Sequence, residues 1–175
     1  MRKYETLILN LFGGPGSGKS TTAAGIFHEL KLLGANCEMA LEYAKDKVWE
    51  DSYPVLNNQI YVFGKQFHRI WRLVDKVDFV ITDAPILNSI LYYRGENPHF
   101  PKMVAFEHSR LHNFNVLLQR VKPFNPAGRV QNEEQARALD SRIRGILDFL
   151  GEKYITLPAD KDCISELVLE TLQAR

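Results

Sequence analysis

The stretch "GGPGSGKST", residues 13–21, lies between an apolar run of strand length, "TLILNLF", and a segment of helical period, "TAAGIFHELKLLG". Gly13, four residues, Gly18, Lys19 and Ser20 match the spacing of a phosphate-binding loop, in which glycines let backbone N–H groups turn inward around phosphate oxygens. Lys19 adds a mobile positive charge, Ser20 a hydroxyl for Mg²⁺, and the helix beginning here points its positive end at the same anion. The expected nucleotide surface is therefore Gly13, Gly14, Pro15, Gly16, Ser17, Gly18, Lys19, Ser20 and Thr21. A glycine-rich turn without a ligand is the plainer alternative, and the strand-loop-helix context argues against it.

Strand-length apolar runs alternate with helical segments along the rest of the chain, the pattern of an α/β protein with a mainly parallel sheet. Strands are expected at about 5–12, 37–41, 78–82, 114–119 and 153–157. Two helices show clear apolar stripes: Ile26, Phe27, Leu30 and Leu33 in one, Ala136, Leu139, Ile143, Ile146, Leu147 and Leu150 in the other. These stripes face a core. Gly151 is a helix stop, and Asp160 or Asp162 a cap for the last helix. At 175 residues one domain spanning 1–175 is expected.

No apolar run approaches the roughly 20 residues needed to span a bilayer, and "MRKYETLILNLFGG" reads as a first strand, not a leader. A cytoplasmic protein without a membrane partner is expected. Cys37 and Cys163 lack metal-ligand spacing and are expected as reduced, structural thiols. A net charge of +1 gives no bulk attraction to nucleic acid, although local clusters could still supply one.

Phosphoryl transfer needs carboxylates beside the phosphates, to orient the attacking hydroxyl and to hold hydrated Mg²⁺. Glu42 follows the second strand, in "MALEYAKDK", and Asp83 the third, in "FVITDAP". Asp83 is assigned to metal together with Ser20, with substrate contact as its alternative. Glu42 is the first choice for the base, and Asp46, four residues on, competes for the part. A helix cap or a solvated charge is the plainer reading of each acid. In "RVKPFNPAGRVQNEE", 120–134, prolines stiffen a loop that Gly128 lets bend, and Arg129 is the candidate to close as a lid over the transferring group, helped by Arg120 and Lys122. Solvated loop cations are the alternative. "RGENPHFPKM", 94–103, is a second irregular wall.

"NNQIYVFGKQFHRIWRL" mixes aromatics with amides. Phe63, Phe67, Ile70, Trp71 and Val74 have the spacing of a core stripe, which leaves Gln59, Gln66 and Arg69 as candidates for reading an acceptor. Tyr92, Tyr93 and Arg94 are further candidates, whereas His68 has no metal spacing.

Together "LNLFGGPGSGKST", "LEYAKD", "VITDAP" and "RVKPFNPAGRVQNEEQARALDSRIRGILDFLGEKYITL" resemble, in order and over nearly the whole chain, small P-loop kinases of the ribosylnicotinamide kinase-like group, including AAA-type ATPases common in tailed bacteriophages. The resemblance implies a nucleoside/nucleotide kinase-like P-loop NTPase fold, a three-layer sandwich on a five-stranded parallel sheet with a lid loop. It also implies ATP with Mg²⁺, Lys19 and Ser20 at phosphate and metal, Glu42 and Asp83 at substrate or metal, and Arg129 in the lid. A chain of phage origin would work in the host cytoplasm. Leu41 stands where ribosylnicotinamide kinases carry tryptophan, and "KPFNPAGR" is absent from their lids, so their acceptor is not carried over.

Three functions follow as expectations. The first is an ATP-dependent kinase with a nucleoside- or nucleotide-like acceptor. A second keeps the chemistry with DNA or RNA as the acceptor, at a 5′-hydroxyl or a hydroxymethyl base, along a basic track of Lys65, Arg69, Arg72, Arg94, Lys102 and Arg110. The third is a P-loop ATPase or nucleotide switch acting on a partner.

Overall fold

The computed structural model describes residues 4–121, 123 and 132–174. Along the chain run β1 (Leu7–Phe12), α1 (Lys19–Leu32), β2 (Cys37–Ala40), α2 (Tyr43–Trp49), α3 (Tyr53–Leu56), α4 (Gln59–Trp71), β3 (Phe79–Thr82), α5 (Asn88–Tyr92), α6 (His99–Ser109), β4 (His112–Gln119), α7 (Glu133–Leu150), β5 (Tyr154–Pro158) and α8 (Asp162–Gln173). The strands pair in parallel, in the order β2-β3-β1-β4-β5. β1 is therefore central, and all of its residues are buried. This is the α/β architecture of P-loop NTPases.

Alternation of side chains along β1 builds two cores. Leu7, Leu9 and Leu11 pack with Ile26 and Leu30 of α1 and Leu167 of α8. Ile8 and Phe12 face Ile70 of α4, Leu91 of α5, Val104 of α6 and Leu147 of α7 on the opposite side. Helices thus cover both faces, as a buried parallel sheet requires. Register then fixes the site. Asn10, Thr82 and Ala40 align across three adjacent strands, so the chain leaves β2 and β3 at one height beside the loop that follows β1.

Several expectations need adjustment. Leu33 is 64% exposed because it lies just past the end of α1, off its buried face. Trp71, at the end of α4, is 41% exposed and meets Tyr4 edge-on at 5.2 Å between ring centroids. The irregular wall at 94–103 is shorter than expected, because His99 already begins α6 and Pro101 sits in its first turn, where a missing N–H is tolerated. At the last helix Asp160 Oδ1 accepts the N–H groups of Asp162 and Cys163, both at 3.0 Å, which settles the choice of cap. Cys37 and Cys163 are buried free thiols. Among the described residues no helix is long and apolar enough to cross a membrane.

Candidate nucleotide and acceptor site

Steric exclusion explains two of the loop glycines. Gly13 has φ +143°, and a Cβ there would lie 2.4 Å from Ser17 Oγ. At Gly14 a Cβ would meet Ala136 O at 2.4 Å, because the loop rests directly on α7. Lys19 begins α1 and folds back across the loop, its Nζ donating to Gly13 O at 2.7 Å and Gly14 O at 3.0 Å. Ser20 Oγ donates to Asp83 Oδ2 at 2.5 Å. Asp83 is 3% exposed, yet its Oδ1 is a buried oxygen without a hydrogen-bond partner among the described residues, and so is Ser17 Oγ. Buried oxygens left unpaired beside a lysine mark a place for a ligand that carries its own polar groups.

Glu42 holds the N-cap position of α2, but its side chain makes no capping hydrogen bond. It faces Lys19 and Asp83 instead. Burial is the main cause that pushes the Glu42 carboxyl above its ordinary range; Asp83 adds to this, and Lys19 opposes it. Burial likewise lowers the Lys19 ammonium, against the stabilising charges of Glu42, Asp83 and Asp140. Asp46 is drawn elsewhere: it pairs with Arg69, which also donates to Leu41 O at 3.0 Å. That pairing removes Asp46 from competition for the base and Arg69 from the acceptor wall, and neither lines the cavity described below.

Arg129 and Lys122 lie outside the described residues. Arg120 is not a free lid cation. Its guanidinium donates to Pro15 O at 2.6 Å and to Asp140 Oδ2 at 3.1 Å, while Asp140 Oδ1 accepts the Gly14 N–H at 2.5 Å. The phosphate loop is thus strapped from beneath by an ion pair between the end of β4 and α7. Asp140 does this from within α7, where Arg137 pairs with Glu133 at 2.9 Å. The only local hint to this role was an acid set within the apolar stripe of α7.

One cavity of about 500 Å³ joins these parts. Lys19, Ser20, Glu42 and Asp83 all line it, and so do Val48, Leu56, Val62, Gln66, Asn88 and Tyr92, with Gln59 and Arg94. Burial, then the Glu42 charge, raises the Tyr92 phenol above its ordinary value, against Arg142. Tyr93 turns away, its ring 4.5 Å from that of Phe100. Phe63 and Phe67 stack on each other in the core. Arg72 and Arg110 end helices that lead back into the opposite, N-terminal edge of the sheet, so they do not continue a basic track along the cavity.

A glycine loop from the central strand, a helix starting at Lys19 and a buried acid on the adjacent strand define a P-loop nucleotide-binding protein. Within that class the assignment is narrower: a family model described as an AAA domain matches residues 9–162, and the chain belongs to that family. No curated protein matches the chain.

Proposed function

We propose that this protein transfers the γ-phosphoryl group of ATP to a hydroxyl of a nucleoside- or nucleotide-like acceptor, as the ribosylnicotinamide kinase-like proteins it resembles do. The observation that carries this reading is one cavity lined together by the phosphate loop, by the carboxylates Glu42 and Asp83, and by further walls that mix Val48, Leu56 and Val62 with the amides of Gln59, Gln66 and Asn88. A water-activating ATPase has no need of those further walls.

Nucleotide with Mg²⁺ fits the residues present, because Gly13 leaves no room for a side chain and Asp83 Oδ1 is buried without a partner among the described residues. Ser20 and Asp83 would hold Mg²⁺, which when bound neutralises charge on the phosphates. Lys19 stands ready to exchange its carbonyl partners for phosphate oxygens. Glu42 accepts the proton of the acceptor hydroxyl as the new O–P bond forms and the bond to the ADP oxygen breaks. Its raised pKa brings it nearer the range in which a general base works at neutral pH. Arg129 is proposed to add positive charge from the segment beyond Arg120, whose own guanidinium is occupied.

Incubation with labelled ATP and a panel of nucleosides, nucleotides, single-stranded DNA and hydroxymethylated DNA tests the reading, with Glu42→Gln and Asp83→Asn as controls. Label should pass to a small acceptor, and Glu42→Gln should retain ATP binding while slowing transfer by about 10²- to 10⁴-fold. Label on DNA, with affinity falling steeply as salt rises, would move the acceptor to a polymer. The AAA family match favours a second reading, ATP hydrolysis coupled to a partner. Release of phosphate to water with every acceptor left unlabelled would establish it.

A further inference from the structure

Gln66 lies on the buried face of α4, 5% exposed, between Val62 and Phe63 on one side and Ile70 on the other. An apolar residue would fill such a position without cost, so a primary amide needs a reason. Its Oε1 accepts the N–H of Tyr43 at 2.9 Å, the residue directly after Glu42. Only the amide oxygen can accept from an N–H, so this bond fixes which way the group is turned. Nε2 is left buried, without a partner among the described residues, in a side chain that lines the cavity. Val48, Leu56 and Val62 line the same cavity, and two of its cations, Lys45 and Arg94, are exposed.

A neutral amide donor beside Val48, Leu56 and Val62 suits a flat, uncharged ring that presents an oxygen at its edge better than it suits an anion. We propose that Gln66 selects the acceptor by donating from Nε2 to a ring carbonyl, so that the base of a nucleoside-like acceptor carries a carbonyl where its counterpart carries an amino group. This rests on the phosphoryl-transfer reading above. The same amide holds the backbone next to Glu42, so the element that reads the ring also positions the proposed base.

The test compares transfer from labelled ATP to inosine against adenosine, and to uridine against cytidine, as ratios of kcat/KM. The unsubstituted protein should favour the carbonyl member of at least one pair. Gln66→Met, of similar volume but without a donor, should bring that ratio down tenfold or more, mainly through KM. Gln66→Glu keeps the acceptor for Tyr43 and therefore the fold; at alkaline pH, where a carboxylate here is ionised, it should reverse the preference toward the amino member. Equal use of both members by the unsubstituted protein, or ratios unchanged in both variants while transfer continues, would overturn the role of Gln66 and leave the kinase reading standing. With none of the four nucleosides labelled, the same pairs are compared as their 5′-monophosphates; no label on any of the eight would overturn this inference, and ATP turnover with the whole acceptor panel unlabelled would remove the transfer reading as well.

Discussion

Two sets of buried polar groups lie on the same face of the sheet, and they differ in how completely they satisfy one another. Around β1 and β4, Asn10 donates to Asn113 Oδ1 at 2.9 Å and to Asn115 Oδ1 at 3.0 Å, Asn115 donates to Glu152 at 3.0 Å, and His108 Nε2 lies 3.2 Å from the same carboxylate, which leaves only His108 Nδ1 of this set buried without a partner among the described residues. At the C-terminal edge Ser17 Oγ, Asp83 Oδ1 and Gln66 Nε2 are buried and find no partner among the described residues. Burying polar groups is favourable only when they are paired, so the first set holds strands and helices together and the second stores a demand that a ligand meets. The two carboxylates reflect this. Hydrogen bonding from His108 leads the causes that lower the Glu152 carboxyl, whereas burial raises that of Glu42.

The largest expected effect falls at the C-terminal edge, on the lysine that accompanies the unpaired set. Lys19→Ala should reduce labelled-phosphate transfer by about 10³-fold or more, to background, with the circular-dichroism spectrum unchanged. A fall of only a few fold would mean the cavity is not a phosphate site. The paired set should show its weight in stability instead. Asn10→Ala strands two amide oxygens in the core and should lower unfolding free energy by about 3 kcal/mol in urea titrations. Smaller and opposite in sign, Glu42→Gln should stabilise the protein by about 1 kcal/mol at neutral pH, read as a raised Tm, because removing a buried charge relieves a functional strain. The pH dependence separates the two acids further. The raised Glu42 carboxyl weakens the fold progressively as pH rises from its unfolded toward its folded value, and kcat/KM should fall on the acid side at a pH above the ordinary carboxylate range. The lowered Glu152 carboxyl adds stability above its unfolded value and loses it as pH falls through the folded one, so Glu152→Gln should flatten the acid limb of a Tm-pH curve. The smallest effect is Ser17→Ala, expected within about 0.5 kcal/mol of the parent in the same titrations. A loss as large as that for Asn10→Ala would erase the distinction.

The sheet was legible because each strand is a short apolar run between helices, and observed ends fall close to those read from periodicity. The loop, Glu42 and Asp83 were legible for a related reason: each follows a strand end within two residues, so local pattern alone places it. What escaped was held by contacts remote in sequence. Gln66 was singled out as an acceptor-side amide, but its bond to Tyr43, 23 positions away, was not, nor was the bond of Asp140 to Gly14 across 126 positions. No period in the chain announces such bonds. Asp46, by contrast, looked competent beside Glu42 until Arg69 claimed it across the α2–α4 junction.

The ion pair beneath the loop has an evolutionary consequence. Arg120 and Asp140 join the end of β4 to the body of α7, so length can be gained or lost between them while the phosphate loop stays braced, and only the contribution proposed for Arg129 would change. Doubling such a connection costs only about 0.6 kcal/mol in closure entropy. A lineage could therefore re-tailor that span to new molecules while inheriting its engine unchanged.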